Sequence, residues 1–217
     1  DFLNSMRHGI RPNGEHLYPA FPYPAFTKVT NKDLVAMFAY LKSIPAVKHV
    51  QPDNDLSFPF NQRALMAFWK FLYFDSGEFE INEEQTEQWN RGAYLVEALT
   101  HCSACHTPRN FLGAEREQFY LSGGEYQGRV GSGEYRTWFA PNITSSNRGL
   151  GLWSHEHLED YLKTARNEFL ESFGPMNEVI MNSSRFLNES DVSAMTLYLK
   201  SLPAIEETRG VAPDDQL

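Results

Sequence analysis

The segment Cys102-Ser103-Ala104-Cys105-His106 constrains this chain more than any other feature. It contains both cysteines of the 217 residues. Two thiols three positions apart can form thioether bonds to the two vinyl groups of one haem, and a histidine directly after the second thiol can bind the iron. The spacing therefore predicts one covalently attached haem c, held by Cys102 and Cys105, with His106 as an iron ligand.

Three other uses of this motif explain less of it. A redox dithiol of this spacing accompanies a βαβ pattern, which the sequence lacks. A zinc site needs about four ligands, and no second cysteine pair exists. A disulfide between the two cysteines would leave His106 unexplained.

Composition restricts the partners and the compartment. Nineteen basic and 28 acidic residues give a formal net charge of -9, whereas binding to nucleic acid would call for a basic patch. No run reaches the roughly 18 apolar residues of a membrane-spanning helix. Because c-type haem is attached outside the bacterial cytoplasm, the motif predicts a periplasmic protein. The absence of a leader at Asp1 then suggests a processed or truncated chain.

The chain repeats a helical segment. Residues 33–46 (DLVAMFAYLKSIPA) match residues 191–204 (DVSAMTLYLKSLPA) at nine of fourteen positions without a gap. Each copy has a polar start, an apolar face at helical spacing and a proline that ends it. Such a repeat indicates a duplicated structural unit.

The repeat predicts the domain organisation. The second copy closes a segment that carries the haem motif roughly 85 residues earlier, but the first copy has too little sequence before it. Residues 1–50 are therefore expected to be the C-terminal half of a first haem domain whose attachment half is missing. A naturally short appendage without haem is the alternative. Residues 51–82 form a linker with an apolar helix, 83–207 a complete haem domain, and 208–217 a tail.

The remaining pattern predicts a mostly α fold with long loops. Helices are expected at 31–43, 61–74, 83–98, 154–164 and 188–202, and a loop at 121–147. The segment 61–74 carries an apolar stripe, Leu65, Phe68, Trp69 and Leu72, at helical spacing. It either bridges two haem domains or forms a docking surface for another subunit. Gly92 lacks a side chain, so the helix with Tyr198 and Leu199 could cross closely there.

The second iron ligand is predicted to be Met176. It follows Gly174-Pro175, which predicts a turn, and it precedes the closing helix. Met181 is the nearest alternative, whereas Met195 lies on the repeated helical face and is expected in the core. Histidine and methionine together are the iron ligands of cytochromes c.

Several segments resemble one family. They are residues 91–97 (RGAYLVE) leading into 101–110 (HCSACHTPRN), with 17–23 (LYPAFPY), 55–63 (DLSFPFNQR), 138–144 (WFAPNIT), 151–154 (GLWS) and 174–176 (GPM). Together they resemble the multihaem cytochrome c subunits of membrane-bound bacterial dehydrogenases. These subunits serve alcohol, gluconate and fructose dehydrogenases and some molybdenum hydroxylases.

The resemblance implies more than the motif alone. It implies a class I cytochrome c-like haem domain, preceded by the C-terminal half of a second one in an N-terminally truncated chain. Trp138 and Asn142 would line the haem or hold a propionate, and Arg109 would pair with a propionate. Many members have methionine where this chain has Phe21, which leaves the first domain's ligand open. The third haem domain and the C-terminal membrane anchor of larger members are missing.

The implied function is electron transfer rather than catalysis. Electrons would pass from a dehydrogenase catalytic subunit toward quinone or a terminal oxidase, at the outer face of the inner membrane. Membrane association would be peripheral and through the complex. Two alternatives stay open: a freestanding periplasmic cytochrome c, and a haem enzyme or sensor with a labile sixth ligand.

Overall fold

The computed structural model describes residues 1–50, 54–129 and 133–206. The predicted tail 208–217 lies outside the described residues, as do positions 51–53 of the predicted linker. The chain divides into two compact units, Asp1–Glu80 and Ile81–Leu217. The described residues are mostly helical, as predicted, and they also form one small sheet that was not predicted. None of the described helices is long and apolar enough to cross a bilayer.

Unit 1 contains four α-helices in its described part: α1 (Phe2–His8), α2 (Tyr23–Phe26), α3 (Asn31–Ser43) and α4 (Leu65–Tyr73). The predicted helix at 31–43 is confirmed. Thr30 begins it, because its hydroxyl accepts a hydrogen bond from the Asp33 amide at 3.2 Å. The core of unit 1 includes the side chains of Tyr23, Val29 and Leu34, which are fully buried.

The helix predicted at 61–74 is shorter than expected, and its apolar stripe is only partly buried. Helix α4 exists, over Leu65–Tyr73, and the four residues lie along one side of it, but Trp69 at the edge of the stripe is buried and the other three are not. Trp69 is buried together with Met66 and Lys70, whereas Leu65, Phe68 and Leu72 are exposed. Helical spacing fixes which side chains are neighbours, but it does not fix which face turns inward.

Unit 2 begins with α5 (Glu87–Tyr94), which continues through a π-helical turn (Leu95–Leu99) into α6 (Ser103–His106). A 3₁₀ turn (Glu117–Phe119) and two strands follow, β1 (Gly124–Arg129) and β2 (Tyr135–Ala140). The last helices are α7 (His155–Thr164), α8 (Gly174–Asn182) and α9 (Glu189–Ser201), with a 3₁₀ turn (Ser184–Phe186) between α8 and α9. The predicted helices at 154–164 and 188–202 are confirmed, and Ser154 and Asn188 cap them.

The close helix crossing predicted at Gly92 is confirmed. A Cβ atom at Gly92 would lie 1.9 Å from the carbonyl oxygen of Ala194 on α9. The same added Cβ atom would lie 2.9 Å from the Tyr198 Cβ atom, and both Tyr198 and Leu199 are buried. The Tyr198 ring meets the Trp89 ring edge to face at 5.0 Å. Helices α5 and α9 therefore form the central packing of unit 2.

The prediction of a loop at 121–147 is wrong in the middle of that segment, where the structure has two strands. Strands β1 and β2 pair antiparallel, with Gly124 opposite Ala140 and Tyr126 opposite Trp138. A Cβ atom at Gly124 would lie 2.7 Å from the Cys105 carbonyl oxygen. The hairpin thus lies directly on the end of α6, and this long-range contact leaves no periodic signal in the sequence.

Candidate haem site

Helix α6 brings the three motif residues onto one turn. Cys102 caps the helix, and the amides of Cys105 and His106 donate to its carbonyl oxygen at 3.3 and 3.0 Å. Both thiols are free, and the Thr100 hydroxyl lies 3.3 Å from the Cys102 sulfur. Burial raises the pKa of each thiol. A raised pKa favours the protonated thiol over the thiolate.

The His106 imidazole is buried and held in one tautomer. Its Nδ1 lies 2.8 Å from the carbonyl oxygen of Pro141, which follows β2. Because a carbonyl oxygen can accept but not donate, Nδ1 carries the proton and Nε2 keeps its lone pair. Burial lowers the pKa of His106, while the bond to Pro141 opposes that shift. Metal-binding histidines are commonly oriented by such a bond from the other ring nitrogen.

Trp138 on β2 supplies a hydrogen-bond donor for which the described part of the chain offers no acceptor. Its indole Nε1 is buried and has no hydrogen-bond partner among the residues that the structure describes. The guanidinium carbon of Arg136 lies 4.6 Å from the centre of its ring. Because an unpaired buried donor costs free energy, this N–H is suited to an acceptor that the polypeptide lacks. A haem propionate has the required chemistry.

Met176 lies in the first turn of α8 and is partly buried. Two residues earlier, Gly174 lies flat against Trp138, where a Cβ atom would be 2.5 Å from the indole ring. The sequence predicted a turn at Met176 rather than a helix. That expectation is wrong, because Pro175 occupies the first helical turn, where a missing N–H is harmless.

These contacts connect most of the predicted site. His106 reaches the Pro141 carbonyl group, β2 carries Trp138, and Trp138 contacts the residue that begins the Met176 helix. The bond from His106 to Pro141 was not foreseen. Every residue carries a backbone carbonyl group, so no pattern of residue types could have indicated which carbonyl group accepts this bond.

Asn142 and Arg109 are engaged with protein groups instead. The Asn142 side-chain nitrogen donates to the Ile205 carbonyl oxygen at 2.8 Å, and its oxygen accepts from the Thr144 amide and hydroxyl groups at 2.8 and 2.7 Å. Arg109 donates to the carbonyl oxygens of Gly113 at 2.8 Å and Ala104 at 3.0 Å. These contacts favour roles in folding the loops around the motif.

A second polar contact escaped sequence reasoning. The Tyr198 hydroxyl donates to a Glu97 carboxylate oxygen at 2.6 Å, and Tyr198 also lies near Cys102. Burial raises the pKa of Tyr198, and the Glu97 charge adds to the shift. Among the described residues, no three His, Cys, Asp or Glu side chains form a cluster that could hold a metal ion alone.

Comparison with known proteins gives three informative relatives. No family model matches the chain. It is 40% identical to the fructose dehydrogenase cytochrome subunit of Gluconobacter japonicus, over 95% of this chain and 41% of that protein. It is 36% identical to the gluconate 2-dehydrogenase cytochrome c subunit of Pantoea cypripedii, over 100% of this chain and 50% of that protein. A dihaem cytochrome c-type protein of Cereibacter sphaeroides is 35% identical, over 95% of this chain and 66% of that protein.

Two facts follow from these matches. The names describe cytochromes, two of them dehydrogenase subunits, and not catalytic subunits. The chain spans between two fifths and two thirds of the length of these relatives.

Proposed function

Because this chain is a homologue of the cytochrome c subunits of bacterial dehydrogenases, we propose that it transfers electrons through one haem c attached to Cys102 and Cys105. The donor is a dehydrogenase catalytic subunit, and the acceptor is quinone or a terminal oxidase. The location is the periplasm, at the outer face of the inner membrane. The chain itself performs no bond chemistry on the substrate.

The main structural support for this proposal is the tautomer of His106, in which the proton is on Nδ1. Nδ1 donates to Pro141 at 2.8 Å, so Nε2 is available as an iron ligand. When bound, the haem supplies a one-electron Fe(III)/Fe(II) couple. The role of this chain is to hold the group rigidly, exclude water and set its potential.

Two further residues support the proposal. Met176 would supply the sixth ligand, and a thioether ligand raises the reduction potential relative to a second imidazole. Trp138 would donate its buried Nε1–H to a propionate. If His106 and Met176 both hold the iron, the chain would leave it no free position for a substrate or a gas, which argues against a haem enzyme or sensor.

The proposal extends to the domain organisation. Helix α3 repeats the sequence of α9, but Tyr40 is 67% exposed whereas its counterpart Tyr198 is 3% exposed. In unit 2 the equivalent face is covered by α5. We infer that residues 1–50 are the C-terminal half of another cytochrome c-like domain, in which a glycine-bearing helix covers this face.

That inference can be tested on the protein as purified from cells. Hydroxyl-radical footprinting should show Tyr40 as protected as Tyr198. Tyr135 is also 67% exposed and serves as the matched reference. Labelling of Tyr40 as strong as that of Tyr135 would contradict the domain assignment.

The electron-transfer proposal is tested by reduction kinetics. The chain, matured with haem, is mixed with the dehydrogenase catalytic subunit and its substrate, and the haem absorbance is followed. Rapid reduction at a rate that depends on the subunit concentration supports the proposal. Rapid binding of carbon monoxide to the reduced protein would instead indicate a haem enzyme or sensor.

A further inference from the structure

Helix α4 has an inverted arrangement of charge and apolar surface. Lys70 is its single charged residue, and it is buried with only 9% of its surface exposed. Phe68 and Phe71 are 64% and 84% exposed. A surface helix of a freestanding protein normally places such residues the other way round. The arrangement therefore requires a physical reason.

The buried ammonium group is satisfied by unit 1 itself. Lys70 Nζ donates to the carbonyl oxygens of His8 at 2.5 Å and Gly9 at 2.8 Å. It also lies 4.8 Å from the centre of the Tyr23 ring. The carbonyl dipoles and the ring face offset part of the cost of removing the charge from water.

The inner face of α4 is fixed by aromatic contacts as well. The Trp69 ring meets the Tyr23 ring edge to face at 6.5 Å, and the Phe74 ring meets Tyr23 in the same manner at 4.9 Å. Together with the hydrogen bonds of Lys70, these ring contacts hold α4 against the rest of unit 1. The outer face is thus presented by an anchored helix.

That outer face has the pattern of a helix that binds in a groove. Leu65, Phe68 and Leu72 lie at positions i, i+3 and i+7, and Phe71 lies beside them. This spacing is typical of amphipathic helices that insert an apolar face into a partner. The face is aromatic and uncharged, as the centre of a protein interface is. We propose that the outer face of α4 docks into an apolar groove on the dehydrogenase catalytic subunit, an inference that rests on the proposed function.

The size of the helix favours a groove over a second copy of this chain. Nine residues extend about 14 Å, so one face is far smaller than the roughly 800 Å² that each partner buries in a standard interface. Flat contact between two α4 helices would bury too little. A groove whose walls enclose the outer face of α4 would bury more of each exposed side chain.

Charge favours a protein over a lipid surface. Helices that lie on membranes carry lysine and arginine on their polar face and are attracted to anionic lipids. Here the lysine is buried, acidic Asp75 and Glu78 follow the helix, and the chain has a net charge of -9. Arg63, before the helix, donates to the His16 carbonyl oxygen at 3.0 Å and is only partly exposed.

The test measures the affinity of the haem-loaded chain for the catalytic subunit of its own dehydrogenase. The double variant Phe68→Asp, Phe71→Asp should bind at least about 100-fold more weakly. Phe186→Asp, at an exposed phenylalanine of unit 2, is the matched control and should bind as the wild type does. The double variant Phe68→Leu, Phe71→Leu keeps an apolar face and should remain within about threefold.

Several outcomes would overturn the proposal. If the double aspartate variant bound the catalytic subunit as tightly as the wild type does, docking of α4 into a groove on that subunit would be excluded. Flotation of the wild type with phosphatidylcholine vesicles, lost in that variant while the complex persists, would identify lipid as the occupant. A wild-type dimer that becomes monomeric in the variant, with the complex intact, would identify a second copy. If the wild type carries no haem or is not reduced by the catalytic subunit, the proposed function fails instead.

Discussion

Gly92 on α5 meets the carbonyl oxygen of Ala194 on α9 without room for a side chain, since a Cβ atom would lie 1.9 Å from that oxygen. Gly92→Ala must push the two helices apart. We expect it to lower the free energy of unfolding by about 3 kcal/mol, measured by urea denaturation followed by circular dichroism. A Cβ atom at Gly77 would meet no atom within 4 Å, so Gly77→Ala is the control. Equal stability of both variants would contradict the packing described here.

Met176→Ala should remove the sulfur-to-iron absorption band of the oxidised protein in the near infrared and lower its midpoint potential, because a thioether ligand favours Fe(II). Met181 is the matched control. It lies on the same helix, is exposed, and accepts a hydrogen bond from Arg185 at 3.5 Å. Met181→Ala should keep both the band and the potential. The reverse pattern would assign the ligand to Met181.

Asn142→Ala should destabilise unit 2 without changing the ligands of the iron. The substitution removes two bonds to Thr144, one to Ile205 and one to Ser146 from a buried position, and the expected loss is about 2–4 kcal/mol. Asn147, exposed in the same loop, is the control. A shift in midpoint potential at unchanged stability would instead support the sequence-based hypothesis that Asn142 lines the haem.

Lys70 gives unit 1 a characteristic pH dependence. Burial lowers the pKa of Lys70 to about 8, below the roughly 10.4 of an exposed lysine in the unfolded chain. Between these values the unfolded state binds more protons, so stability should rise as the pH increases from about 8 toward 10. Urea denaturation across this range measures the rise. Lys70→Met should abolish it, and an equal rise in that variant would assign it to another group.

Local signals in the sequence were sufficient for three helices that carry their own caps, whereas α5, which Thr86 caps, begins at Glu87 and not at the predicted position 83. Thr30, Ser154 and Asn188 each accept a hydrogen bond from the amide three residues later, and the helices that follow them begin where predicted. Gly92 was likewise predictable, because an isolated glycine on a helix face has few explanations other than a close contact.

Features that depend on distant contacts could not be predicted. The β1–β2 hairpin is held by its position on α6, where Gly124 lies against the Cys105 carbonyl oxygen. The inward direction of Lys70 depends on carbonyl groups more than 60 positions away. In the candidate site, the thiols and His106 followed from the motif, but the Pro141 carbonyl group that orients His106 followed from the fold.

Peptide mapping of the matured protein by mass spectrometry tests the central claim most directly. The chain is expressed with the apparatus that attaches haem c, and the peptide containing Cys102 and Cys105 is isolated. We expect that peptide to carry one haem bound through both sulfurs. Recovery of the same peptide with two free thiols, or with a disulfide between them, would contradict the assignment.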